Sequence, residues 1–332
     1  MTEMTSSGGT SLPQTNPRTF GQILERLIEL LKTRFRLLVG IAAVPALTLL
    51  ALYVLLIGAM FLIGAWPHPA DKADPEKMLW AVFPAMLLGS LPVMAVYALF
   101  EAAGSYAATR ADLGVEVTVL EAYRFAGQKV GRYVWLMVLR GLYVTLPVMA
   151  GGILVGGGAL LFARMPHTGD GTAAAFFLFP LAALLYLGGF TYAVFMMLRL
   201  SLVFPACVCE GLTAGEAIQR SARLTRRAKG RIFLVALIVY AMSYLLEVAV
   251  LLVAAVLFGV SSLVGYALHL ELASALGYLG IGLLAIVLAA CFLLWISIVW
   301  AAYSTVFAVL YNDQRARIDG PPAAAPMGIG PA

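Results

Sequence analysis

Long apolar runs dominate the chain, near Leu37–Ile63, Leu79–Ala107, Tyr133–Phe162, Ala173–Val203, Ile232–Phe258 and Leu276–Leu310. Most exceed the roughly 20 residues that an α-helix needs to cross a bilayer. They are continuous, whereas barrel strands would alternate in segments of about ten residues. The pattern predicts an all-α, polytopic transmembrane helical bundle of six spans. The longer runs imply tilt or protrusion beyond the hydrocarbon. Pro45, Pro84, Pro92, Pro147 and Pro180 lie inside runs. Neighbouring helices can cover the carbonyls these prolines free, so kinks are expected rather than breaks.

Between the runs a second pattern recurs. It is clearest from Arg199 to Arg231, RLSLVFPACVCEGLTAGEAIQRSARLTRRAKGR, which leaves one apolar run through Pro205 and Glu210 and turns at Gly211. A new helix then opens at Thr213 and carries six basic residues before Ile232. Thr19-x-x-Gln22, Thr118-x-x-Glu121 and Thr213-x-x-Glu216 share the grammar of a capping box, in which hydroxyl and N3 side chain cover each other's backbone N–H. Each precedes a basic amphipathic helix and a hairpin of two spans. The threonines are 99 and 95 residues apart, and Asp112-Leu113-Gly114, Glu210-Gly211 and Asp319-Gly320 close the successive units. These features predict three copies of one module, about 19–114, 118–211 and 213–320, related by rotation about an axis near the membrane normal.

The first of these helices, Thr19 to about Thr33, places Phe20, Ile23, Leu24, Leu27, Ile28, Leu31 and Phe35 on one face at helical spacing. That face can lie in the headgroup plane or pack on neighbouring protein, and the two are compatible. In the second helix Val119, Tyr123, Ala126 and Val130 form the stripe. In the third Ala214, Ala217, Ile218, Ser221, Thr225 and Ala228 form a face of small residues suited to close packing on protein. Arg220, Arg223, Arg226 and Arg227 lie opposite, toward water or phosphate. They serve either as ordinary positive-inside signals or as contacts for anionic lipid headgroups.

Composition agrees with the pattern: 62% of the 332 residues are hydrophobic and 12% charged, against roughly 45–50% and 25% in soluble domains. The net charge of +5 sits at the ends of apolar runs, which points to anionic lipid rather than nucleic acid. The N-terminal region, 108–132, 204–231 and 311–332 hold 17 Lys and Arg, against 3 in 64–78, 163–172 and 259–275. This bias predicts both termini in the cytoplasm. Residues 1–18 are polar, with no apolar core of a cleavable signal peptide. They are expected to be disordered, as is 321–332.

Ionisable groups inside apolar runs cost about 2.5–3.5 kcal/mol each on insertion scales, so they are expected to face the bundle interior or the interface. Glu101 and Arg140 fall at similar depth on successive spans and are expected to pair. Arg199 lies near a span end, within reach of Glu210, headgroups or helix carbonyls. Glu247 lies near mid-span, where Tyr244 could donate to it. It is either a functional intramembrane acid or a structural one. Gly151-Gly152 to Gly156-Gly157-Gly158 read as close helix packing. Cys207, Cys209 and Cys291 read as small apolar residues, and His68, His167 and His269 stand isolated. Neither a metal site nor a cofactor is expected, and no phosphate-loop, nucleophile-elbow or zinc-protease motif occurs.

RLSLVFPACVCEGLTAGEAIQRSARLTR, the closing VLYNDQRARIDG at Val309–Gly320 and the opening TFGQILERLIELLKTRFRLLV resemble a family of bacterial six-span proteins. That family is named for the membrane domain found beside glycerophosphodiester phosphodiesterases. The resemblance covers roughly residues 19–320, and its motifs carry no catalytic role. Asn312 departs from the aromatic or acid expected beside Tyr311. Some relatives join this domain to a soluble phosphodiesterase, but no stretch here fits one, so no enzymatic activity is carried over. The leading expectation is a non-enzymatic, lipid-interacting scaffold or accessory component of the bacterial inner membrane that binds anionic lipid through Arg220, Arg223, Arg226 and Arg227. The competing expectation is a transporter or channel for a small or lipidic solute that uses Glu247 and the Glu101/Arg140 pair.

Overall fold

The computed structural model describes residues 18–62, 75–164, 169–267 and 275–320. The two expected disordered tails, apart from Arg18, lie outside these residues, as do His68, His167 and His269. Ten helices are present among the described residues: α1 (Phe20–Thr33), α2 (Phe35–Leu62), α3 (Pro75–Asp112), α4 (Val119–Gly127), α5 (Val130–Arg164), α6 (Gly169–Arg199), α7 (Val203–Glu210), α8 (Ala214–Thr225), α9 (Lys229–Ala267) and α10 (Ala275–Asp319). Six of them, α2, α3, α5, α6, α9 and α10, are long and apolar enough to cross a membrane. The protein is an all-α, multi-pass membrane bundle.

The short helices begin where the capping grammar places them. Gln22 N–H meets Thr19 Oγ1 at 3.4 Å while Gln22 Oε1 accepts Thr19 N–H at 2.8 Å. Thr118 and Glu121 repeat the exchange at 3.2 and 3.5 Å. In the third, Glu216 accepts both the backbone N–H of Thr213, at 2.9 Å, and its hydroxyl, at 2.7 Å. Gly114, Gly211 and Gly320 each take a left-handed φ, between 66° and 80°, which a Cβ would oppose.

The α10 helix is the hub, packing on α1, α2, α3, α7, α8 and α9, while α5 and α6 pair with each other. The α3–α10 seam is lined by small side chains. Ala98, Ala102, Ala103, Ala107 and Ala108 on α3 are buried, as are Ala301 and Ala308 on α10. At Gly104 a Cβ would stand 3.0 Å from Ser304 Cβ. Small residues allow such approach where apolar association gains little inside lipid. Pro45 leaves α2 unbroken. It cannot donate to Ile41, and the hydroxyl of Tyr123 on α4 donates to Ile41 O instead, at 2.6 Å.

The buried interior sits at the end of the bundle that carries the short helices and the basic residues. Leu38, Ile41, Phe100, Tyr133, Leu136, Phe204, Leu224, Ile232 and Tyr311 are nearly sealed there. Farther along the same spans, Leu55, Ile153, Leu184, Leu252, Leu263 and Leu283 stand exposed. So much apolar surface belongs against lipid chains rather than water.

Three expectations change. The fourth apolar run does not continue through Val203: α6 ends at Arg199, and a separate helix, α7, is buried from Val203 to Val208. Pro205 lies in its first turn, where a missing N–H costs little. The sixth helix does not end at Leu310 but runs to Asp319. Its 45 residues measure roughly 67 Å at 1.5 Å per residue, so its polar end projects well beyond the ~30 Å hydrocarbon layer. Of the glycines read as packing sites, Gly151 lies against Tyr186 backbone, while Gly152, Gly156 and Gly157 have nothing within 4 Å. The closest approach of this pair is at Gly189, where a Cβ would lie 2.9 Å from Pro147 O.

Candidate functional site

The basic end of the bundle is held by carboxylates that α3, α7 and α10 deliver where each span ends. Asp112 closes α3 with its side chain fully buried. Its carboxylate meets Arg18 Nη1 at 3.0 Å, Arg26 Nε at 3.0 Å and Asn312 Nδ2 at 2.9 Å, and its carbonyl accepts from Arg26 Nη2 at 3.0 Å. Asp313, one residue past Asn312 on α10, is equally buried. It accepts the Arg18 backbone N–H at 2.7 Å, Arg317 Nε at 3.0 Å and Gln314 Nε2 at 3.0 Å, and pairs with Arg231 Nη1 at 3.2 Å. Arg231 and Arg317 also donate to the carbonyl of Arg18.

The third tie joins α7, α8 and α10. Arg220 Nε reaches both oxygens of Glu210 at 3.0 Å, its terminal nitrogens meet Asp319, and Tyr311 donates to Glu210 at 2.7 Å. Burial works against the Arg220 charge, but the hydrogen bonds to Asp319 and Glu210 outweigh it and raise its pKa. Buried carboxylates survive only when paired and hydrogen-bonded. Here each is, so these acids fasten helices and offer no free proton acceptor.

The small face of α8 packs as its composition implies: Ala214, Ala217, Ser221, Thr225 and Ala228 are all buried. Ser221 and Thr225 hydroxyls donate to Arg199 O, at 2.8 and 3.3 Å, covering the open end of α6. On α1, Ile23, Leu27 and Leu30 are buried against protein and Ile28 is left exposed, as is Phe35 at the start of α2.

The ionisable residues picked out by position divide into engaged and free. Arg140 Nη1 lies 3.8 Å from Glu101 Oε1, with the guanidinium over the Phe204 ring. Arg220 is taken up by Glu210 and Asp319, which leaves Arg223, Arg226 and Arg227 as the exposed arginines of the α8–α9 corner. Arg199 engages through its carbonyl, while its side chain is exposed and Glu210 is bound by Arg220 instead. Glu247 is half-buried and, among the described residues, forms no hydrogen bond or ion pair, Tyr244 included.

The sequence pattern marks Asp112 only as a unit boundary and Arg231 only as the end of a basic stretch, and it gives Asp313, Arg18 and Arg26 no role. The available signal was the polar run Tyr311–Gln314 following an apolar helix without a break.

A cleft of about 340 Å³ opens beside the third tie, between the ends of α3 and α7 and the α4–α5 corner. Arg110, Lys129, Arg132 and Glu210 line it with Thr109 and Phe125. Arg132 Nη1 donates to the carbonyls of Gly211 and Leu212, at 2.9 and 3.3 Å, and so clamps the α7–α8 turn. Among the described residues no group of His, Cys, Asp and Glu is arranged to hold a metal ion. No family model matches the chain, and no curated protein or solved structure matches it.

Proposed function

We propose that this protein is a non-enzymatic, lipid-interacting scaffold or accessory component of the bacterial inner membrane, with both termini cytoplasmic. One observation carries the reading: Arg223, Arg226 and Arg227 stand exposed where α8 meets the membrane-spanning α9, and none pairs with a carboxylate among the described residues. Cations left free at a span end attract anionic headgroups, at about 1 kcal/mol each near the surface. The charge bias of the sequence supports the orientation, and three capping threonines with three left-handed glycines support one module used three times.

The test is retention of phosphatidylglycerol by the full chain in native mass spectrometry. Replacing Arg223, Arg226 and Arg227 together by Gln is expected to lower it severalfold, and unchanged retention rules the corner out. Labelling of a cysteine at position 223 from the periplasm would overturn the orientation. The rival reading, a transporter, is favoured by one feature, the unpartnered Glu247 in the span α9. Glu247→Gln is expected to alter solute flux under that reading and to leave it unchanged under ours.

A further inference from the structure

Seven residues after its capping threonine, α1 carries Arg26 and α8 carries Arg220, and each guanidinium is bound to acids that close a span. In α4 the same place holds Phe125, which stacks on Tyr106 with ring centroids 4.2 Å apart. The unit that lacks the arginine is the one with the cleft. We propose that this cleft, between the ends of α3 and α7 and the α4–α5 corner, is a binding site for a phosphate group.

Four features support it. Arg110, Lys129 and Arg132 line the cleft, and among the described residues none has a carboxylate within ion-pair distance. Arg110 is instead held over the Tyr106 ring, 4.9 Å from its centroid. Glu210 is the one acid in the lining, and it is already bound by Arg220 and Tyr311. Three cations against one engaged acid leave the lining net positive. Thr109 also lines the cleft, 3% exposed and with its hydroxyl oxygen sealed from solvent. It makes no hydrogen bond of good geometry among the described residues, its polar neighbour being the Cys209 thiol, a weak partner. Leaving a buried hydroxyl unmet is costly, and a turn of the threonine rotamer toward the cleft would let a phosphate oxygen meet it. The volume, about 340 Å³, falls at the small end of the roughly 300–1,000 Å³ of ligand sites.

A free phosphate and a lipid headgroup offer the same chemistry, and the site lies where spans end, so either can reach it. It is separate from the Arg223, Arg226 and Arg227 corner and does not depend on that corner binding lipid.

The experiment titrates the detergent-solubilised full chain with inorganic phosphate, dihexanoyl phosphatidic acid and dihexanoyl phosphatidylcholine, read by thermal shift and native mass spectrometry. Saturable binding of phosphate or phosphatidic acid is expected, weakened about tenfold by Lys129→Gln, the loss of one charge-assisted contact. Thr109→Val is expected to weaken it as well while leaving the ligand-free melting temperature unchanged or higher, which a merely structural hydroxyl would not do. Replacing Arg223, Arg226 and Arg227 by Gln is expected to leave it intact. Binding of phosphatidic acid alone identifies a headgroup, and binding of both a free phosphate as well. No saturable binding of either, equal binding of phosphatidylcholine, or binding indifferent to Lys129→Gln and Thr109→Val overturns the proposal.

Discussion

The Tyr123 hydroxyl donates to the Ile41 carbonyl, and Ile41 is the residue whose helical partner would have been Pro45. A proline inside a helix orphans the carbonyl four residues earlier, and in lipid an orphaned carbonyl has no water to turn to. Burial raises the pKa of Tyr123, so the phenol keeps its proton at any ordinary pH. We predict that Tyr123→Phe destabilises the fold by ~1–3 kcal/mol, the cost of a buried unsatisfied acceptor. Adding Pro45→Ala restores the helical N–H and recovers most of the loss. Unfolding in mixed micelles measures both, and a double variant as unstable as Tyr123→Phe alone would show that the hydroxyl is not covering Ile41.

Glu101 and Arg140 face each other among apolar helices, 3.8 Å apart. Removing one member of a buried pair costs ~3–5 kcal/mol. With both side chains nearly a fifth exposed, the lower end is expected for Glu101→Gln or Arg140→Met. The double variant is expected to lose less than the sum, by ~1–3 kcal/mol. Strict additivity in the same unfolding assay means that the two side chains do not interact.

The α5–α6 hairpin is gathered at Gly189, where an added methyl would lie 2.9 Å from a backbone carbonyl of the facing helix. Backbone cannot swing aside as a side-chain tip can. Gly189→Ala is therefore expected to destabilise by ~1–3 kcal/mol, the usual cost of overpacking. Gly156→Ala, in open space, should be neutral or slightly stabilising, since alanine favours helix. Equal effects at the two positions would refute this packing.

At the start of α8, hydrogen bonds from the Thr213 side chain and backbone hold the Glu216 carboxyl below its ordinary pKa. A lowered folded-state pKa means that the unfolded chain binds the proton more readily, so stability falls as acid is added. The contribution is complete above the ordinary value of 4.5 and disappears as pH drops through the lower, folded value. Hydrogen exchange of the first turn of α8, corrected for intrinsic rates, should show protection lost over that window. Glu216→Gln should abolish the pH dependence, and a dependence that survives the substitution would place its origin elsewhere.

What the sequence discloses follows the range of each interaction. Thr19, Thr118 and Thr213 act on residues three positions away, so their caps are legible as text. Glu101 and Arg140 are matched by counting turns from a shared loop, which needs only helical rise. The break after Arg199 is hidden because Val203 to Val208 is as apolar as the span before it, and only the hydroxyls of Ser221 and Thr225, brought from α8, show why α6 can stop there. Asp112 and Asp313 are hidden for another reason. Arg317 lies four residues from Asp313, but their other partners lie as far as 295 residues away, and no local spacing records which distant arginine will reach a given acid. The cleft beside Phe125 is of the same kind, since it is marked by a residue that interrupts a correspondence between distant helices.

Arg18 has its backbone N–H on Asp313 and its carbonyl on Arg231 and Arg317, groups supplied by the last two long helices. During synthesis Arg18 emerges 295 residues before Asp313, so part of its anchorage is made long after it. Until α10 is delivered, this segment can fasten to Asp112 of α3, through Arg18 Nη1 and Arg26 Nε, and to Arg231 of α9, through the Arg18 carbonyl, but not to Asp313. The order in which the chain is translated therefore differs from the order in which it can lock, and a product cut short before Asp313 would leave the Arg18 backbone N–H without its partner and the segment held by Asp112 and Arg231.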